Sequence, residues 1–141
     1  MSDFKIFDIA GSGMAAQNQR MNLIASNIAN ADAISSSEGD VYKSRHAVFK
    51  TVFDQAGSQI GRGSVAAGVQ MAGVIESKAP VFPEYAPHHP LANEDGYIFR
   101  SNVNAVEEMA NMISASRSFQ NNVEVIKSSQ RMMTSLINLG K

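Results

Sequence analysis

The sequence predicts a mainly α protein in which long N- and C-terminal helices pair as a coiled coil, with a small β-rich or irregular middle segment between them. Three observations predict it. Apolar residues recur every seven places near both ends of the 141-residue chain, all four Pro lie between those ends, and so do seven of the ten Gly. The length suits one domain, and the composition divides it into an N-terminal helix (1–34), a middle β and loop segment (35–100) and a C-terminal helix (101–141).

The first helix is read from two rows. Phe7, Met14, Met21 and Ile28 form one, and Ala10, Gln17, Ile24 and Ala31 lie three places after each. Its other face is unusual, because the only charge between Ile9 and Ala31 is Arg20 and the rest is Gln, Asn, Ser, Gly and Ala. A solvated helix face carries Lys and Glu instead. Asn18, Asn22, Asn27 and Asn30 are poor helix formers, so this segment is expected to order chiefly when other helices surround it.

The middle segment disfavours helix. Val65, Ala67, Val69 and Met71 alternate with smaller or polar residues and Val74-Ile75 extend the run, which suits a strand or an irregular hairpin. Tyr97-Ile98-Phe99 reads as a short strand because Asp95-Gly96 before it is a turn signal. Ala47 to Gln55 fits either a strand or a short helix, since its periodicity does not decide.

The last helix has neither Pro nor Gly from Val103 to Leu139. Met112, Phe119, Ile126 and Met133 form one row, and Met109, Ser116, Val123, Gln130 and Ile137 its partner. A helix of that length spans ~55 Å at 1.5 Å per residue, against a diameter near ~37 Å for a compact chain of this size. Either it breaks or its ends find partners outside the chain.

Composition narrows the chemistry. Twelve basic against thirteen acidic residues give a net charge of -1, so no bulk charge draws nucleic acid or an anionic membrane. Zero Cys removes disulfides, thiolate nucleophiles and zinc-thiolate sites. No apolar stretch suits a signal peptide or a direct membrane insertion.

Local motifs support neither catalysis nor a cofactor. His88-His89 point to opposite faces if extended and lack a companion metal motif, so they read as loop residues beside Pro87 and Pro90. Asn93-Glu94-Asp95-Gly96 lacks the spaced ligands of a calcium loop and reads as a turn. Gly11-Ser12-Gly13 has no preceding strand and no following Lys, so it is not a phosphate loop. Ser35-Ser36-Ser37 reads as a linker. No metal, no cofactor and no enzymatic activity is expected.

Two longer stretches are more telling. Met21-Asn22-Leu23-Ile24-Ala25-Ser26-Asn27-Ile28-Ala29-Asn30-Ala31 resembles the N-terminal signature of bacterial flagellar axial proteins, the rod and hook families. His89 to Tyr97 followed by Asn102 to Ile113 resembles the C-type proximal rod subunit of the flagellar basal body, and Ser114 to Asn122 continues the match, with Phe119 at the position where that family usually has an aromatic residue. The usual Gly-Pro-Tyr is replaced here by Gly39-Asp40-Val41-Tyr42.

The resemblance implies a structural subunit of the periplasm-spanning rod, packed by its terminal helices into the drive shaft and export channel. It also implies export by the flagellar type III apparatus without a cleaved signal peptide. Expected partners are copies of the chain, other rod subunits, that export apparatus and the surrounding basal-body rings. The expected assembly interface is Phe7, Met14, Met21, Ile24, Asn27, Ile28 and Asn30 on the first helix, with Met109, Met112, Phe119, Val123, Ile126, Met133 and Ile137 on the last. The alternative is a cytoplasmic coiled-coil adaptor or export chaperone.

Overall fold

The structure is a computed structural model that describes residues 3–54 and 65–139. Helix α1 runs Asp3–Ala29. It closes in tighter turns, with Ala31 N–H donating to Ile28 O and Ala33 N–H to Asn30 O. Asn30 secures this end by donating its amide to Ser26 O at 2.8 Å.

Helix α2, Ala105–Leu139, is 35 residues without a break. Its start is capped by Asn104, whose Oδ1 accepts from Val106 N at 3.1 Å and Glu107 N at 3.3 Å. Glu107 and Glu108 in the first turn face the positive end of the helix dipole.

Among the described residues, five strands lie between the helices: β1 (Ile34–Ser35), β2 (Arg45–Asp54), β3 (Val65–Glu76), β4 (Phe82–Tyr85) and β5 (Tyr97–Arg100). They form a two-stranded ribbon, β2–β3, and a three-stranded sheet in the order β1-β5-β4. Both neighbours of β5 are antiparallel to it, with Ile34 and Phe82 opposite Arg100, and Tyr85 opposite Tyr97. Pro83 costs no ladder bond that the sheet needs, because β4 is an edge strand.

The turn before β5 forms because Asn93 Oδ1 accepts from both Asp95 N and Tyr97 N. Gly96 follows at φ 79°, the left-handed region where a side chain is strained. Asn93-Glu94-Asp95-Gly96 therefore forms the turn that its sequence suggests. His89 behaves similarly, its Nδ1 accepting from Leu91 N at 3.1 Å.

Two compact units divide the described chain: one takes in Met1–Arg20, Val48–Gly73 and Ser114–Lys141, the other Met21–Ala47 and Val74–Ile113. In the second unit Ile24, Val41, Val81 and Ile98 are buried, together with Asn27, Ser44, Ser101 and Glu108. In the first unit the buried positions are small, namely Ala10, Ala16, Ala115 and Ser129.

Two expectations about fold class need correction. The molecule is better described as two helices with a middle of antiparallel β-structure than as mainly α, since β2 and β3 alone are 10 and 12 residues long. The terminal helices do not pair as a heptad coiled coil. In the first unit the side chain of Asn122 on α2 lies against Gly13 of α1, where a Cβ would come 2.9 Å from its Nδ2. The buried positions of this unit include Ala10, Ala16 and Ala115, whereas the expected seam residues Phe7, Met14, Phe119 and Val123 are only half-buried. Two expected seam positions stand in solvent: Met109 is 53% exposed and Ile137 67%.

Gly96→Ala is expected to lower stability by about 1–2 kcal/mol. The new methyl would meet Tyr85 Cε2 at 3.0 Å and Pro87 Cβ at 3.2 Å, in addition to the backbone strain. The measurement is the urea midpoint at unchanged slope, and a wild-type midpoint would contradict the argument.

Candidate functional site

The second unit is tied together by two asparagines that behave like pieces of backbone. Asn27, 0% exposed on α1, accepts at Oδ1 from Arg45 N (3.0 Å) and from Tyr42 OH (2.8 Å), and donates from Nδ2 to Arg45 O (2.9 Å). Its amide therefore pairs with one residue of β2 as a neighbouring strand would. Tyr42 OH also lies 3.3 Å from Ser26 Oγ.

Asn102, just before α2, does the complementary work. Its Oδ1 accepts from Ser44 N at 2.8 Å and its Nδ2 donates to Ala79 O at 2.8 Å. Ser44 O accepts from Ser77 N at 2.8 Å. Every backbone polar group of Ser44 and Arg45 is thereby paired, as buried backbone requires. Asn27 bonds to the side of Arg45 opposite that used by Ser44, so it covers the edge that β2 presents away from β3.

Charge at this junction stays on the surface. Arg45 reaches Glu76 at 3.1 Å and lies 5.2 Å from the centre of the Tyr42 ring, with both ionic side chains about half exposed. Such a pair contributes at most ~1 kcal/mol. Arg100 meets Glu84 at 3.2 Å and Asp32 at 3.6 Å in the same exposed manner.

The first unit has its own crossing point. Ser12 Oγ donates to Ile9 O at 2.8 Å and accepts from Val69 N at 3.1 Å, so a helix hydroxyl covers a strand N–H. Gly68 allows this, because a Cβ there would sit 2.6 Å from Ser12 Oγ. Gly11-Ser12-Gly13 thus serves packing: Ser12 meets β3, and Gly13 meets Asn122 of α2. Gln17 Oε1 is buried without a hydrogen-bond partner.

The structure distributes the expected interface residues unevenly. In the first unit Phe7, Met14, Phe119, Val123, Ile126 and Met133 are half-buried, and Ile137 is exposed. In the second, Ile24 and Asn27 are buried, Met21, Ile28, Asn30 and Met112 are half-buried, and Met109 is exposed. Asn27 works inside the chain. The deepest positions on α2 are Glu108, Ala115 and Ser129, each one place before the row of Met109, Ser116 and Gln130.

Sequence reasoning missed Asn102, Ser12 and Tyr42 as structural residues. All three, like Asn27, lie in stretches that the sequence singles out on other grounds. Among the described residues no group of three or more His, Cys, Asp or Glu could hold a metal ion, and no helix is long and apolar enough to cross a membrane. What the chain offers instead is two helices with exposed apolar side chains, held to a polar-clasped middle: the build of a packing subunit.

The comparisons with known proteins agree with that class. The family described as flagella basal body rod protein matches residues 7–33, within and just past α1, and the C-terminal family of flagellar basal body rod FlgEFG proteins matches residues 94–139, from the turn before β5 to the end of α2. The chain is 43% identical to the flagellar basal-body rod protein FlgC of Salmonella typhimurium over 141 residues, all of both chains. It is equally similar to that of Yersinia enterocolitica, over the same full coverage. To FlgC of Borreliella burgdorferi it is 32% identical, with 97% of each chain covered. The chain belongs to the FlgC family of flagellar basal-body rod proteins.

Asn27→Ala would leave the part-buried Arg45 N–H and C=O without the amide and is expected to cost about 2 kcal/mol. Chemical denaturation would reveal it, and a loss below a quarter of that would mean that water replaces the amide. Gly68→Val is expected to push Ser12 off Val69. Faster hydrogen exchange at Val69 is the expected sign, and unchanged exchange would refute the crossing described above.

Proposed function

We propose that this chain is a structural subunit of the flagellar basal-body rod. The observation that carries the reading is the full-length identity to proteins named as rod subunits, with the two family matches falling on the two terminal helices. The relatives named above include no adaptor and no chaperone, and nothing among the described residues favours that reading.

The mechanism is packing rather than chemistry. A rod subunit works by transmitting force through its contacts, so its reactive groups are the exposed side chains that neighbours cover. α2 supplies many of them, and Phe7, Met14, Phe119 and Met133, half-buried in the free chain, have surface left for a neighbour. We extend the proposal to the route and the partners: export through the flagellar type III apparatus, then assembly with copies of the chain, other rod subunits and the surrounding rings in the periplasm-spanning shaft.

Deleting the subunit should stop basal-body construction at an incomplete shaft, seen by electron microscopy of isolated basal bodies. Phe119→Asp places a charge on the half-buried face of α2 and is expected to abolish swimming while the subunit is still made, whereas Phe119→Leu should swim. Normal swimming by the aspartate variant would refute the packing mechanism.

A further inference from the structure

The three-stranded sheet of the second unit ends in β4, and all four residues of that strand are exposed, Phe82 at 62% and Tyr85 at 65%. Side chains alternate across a sheet. Phe82 and Glu84 therefore lie on the face of buried Ile98, and Pro83 and Tyr85 on the face of Tyr97, whose ring meets that of Tyr85 at 5.2 Å between centroids. A strand added at this edge would cover Phe82 on one face and Tyr85 on the other. An exposed strand edge with aromatic side chains is a template for pairing with another chain.

The register determines which backbone groups the edge offers. Opposed residues of an antiparallel ladder alternate between pairs that exchange hydrogen bonds and pairs that do not. Ala86 N–H donates to Gly96 O at 2.9 Å, one step beyond the opposed residues Tyr85 and Tyr97. Glu84 with Ile98 and Phe82 with Arg100 are thus bonded pairs, whereas Tyr85 with Tyr97 and Pro83 with Phe99 are not. The backbone polar groups of residues 83 and 85 point away from β5. The edge presents Pro83 O, Tyr85 N–H and Tyr85 O, and it lacks a donor at residue 83 because proline has no N–H.

A second copy of β4 fits such an edge by two-fold symmetry. With residue 83 of each copy opposite residue 85 of the other, each of the two bonded pairs would exchange two hydrogen bonds, and Pro83 removes one from each. The same register sets Glu84 opposite Glu84, a close pair of like charges. Arg100 reaches Glu84 at 3.2 Å, but both side chains are about half exposed, so its charge offsets little of that repulsion. Centring the pair on residue 83 would lose both bonds there. Centring it on residue 85 keeps the bonds between the tyrosines and sets Pro83 opposite Pro87, with no donor on either side. We propose that Pro83 and Glu84 hold the β4 edge shut against strand pairing with a second copy of the chain.

The chain has no Cys, so a single Cys at residue 84 reports this pairing directly. Opposed residues of a non-bonded antiparallel pair have Cα atoms ~4.5 Å apart, within the reach of a disulfide. Full-length Glu84→Cys is incubated in a glutathione redox buffer, and the disulfide-linked dimer is measured on non-reducing gels. Little dimer is expected while Pro83 is present. Adding Pro83→Val or Pro83→Ala restores one donor per copy and should raise dimer formation roughly tenfold or more. Equal dimer with and without Pro83, or rapid dimer in Glu84→Cys alone, overturns the role of the proline. The role of the charge is read by sedimentation at low salt, where Pro83→Val with Glu84→Gln should associate more tightly than Pro83→Val alone, with the difference shrinking as salt rises. No difference at low salt removes Glu84 from the proposal. Hydrogen exchange at Ile98 N–H checks that β4 still pairs with β5. If both residue 83 variants lose that protection, Pro83 serves the sheet rather than its edge, and the proposal falls.

Discussion

The second unit depends on one side-chain amide. Asn27 has no solvent exposure, and three of its hydrogen bonds bind α1 to Arg45 and Tyr42. A buried amide is costly when unpaired and specific when paired, because its donor and acceptor must meet an acceptor and a donor in the right order. The backbone of one extended residue provides that order. Hydrophobic burial of Ile24, Val41, Val81 and Ile98 gathers the unit, but it has no directional preference. Asn27 sets which residue of the chain meets α1, and Asn102 sets the adjacent residue against Ala79.

The same helix also covers polar backbone in the other unit, through Ser12 and Val69 N–H. A two-stranded ribbon is marginal by itself and leaves two edges that invite foreign strands. Short polar side chains on α1 meet one ribbon position in each unit. This gives a physical reason for the uncharged character of the N-terminal signature. Ser and Asn can pair with backbone at close range, whereas Lys or Glu in the same places would need desolvation without a counter-ion.

Both terminal helices were legible in the sequence, because Met112, Phe119, Ile126 and Met133 repeat at a helical interval and no Pro interrupts them. β5 was legible from Asp95-Gly96, and β3 from its alternation, although β2 was ambiguous between strand and helix. β4 was not legible: Phe82–Tyr85 is exposed throughout and contains Pro83, so it has neither the alternation nor the composition of a half-buried strand. The helix packing was misread for a different reason. A heptad of large residues draws attention to Met109 and Ile137, but both are exposed, and the buried positions of the first unit include Ala10, Ala16 and Ala115, which contribute little to any hydrophobic pattern. The clasp of Asn27 and Asn102 was beyond reach, because a side chain that pairs with backbone 18 or 58 residues away leaves no periodic trace.

The two units differ in what can hold them. Burying an Ile or Val side chain contributes about 1.5–3 kcal/mol, and an alanine methyl about 0.8. The second unit buries two Ile and two Val and satisfies its clasp. The first buries three Ala and a Ser, leaves Gln17 Oε1 without a partner, and holds Leu136, Ile137 and Leu139 in solvent. Its apolar surface is therefore mostly unspent within the chain. Covering Val125, Met132 and Leu136 would add more apolar burial than the unit's own alanines provide, so the stability of this unit is set more by what covers α2 than by what it buries itself.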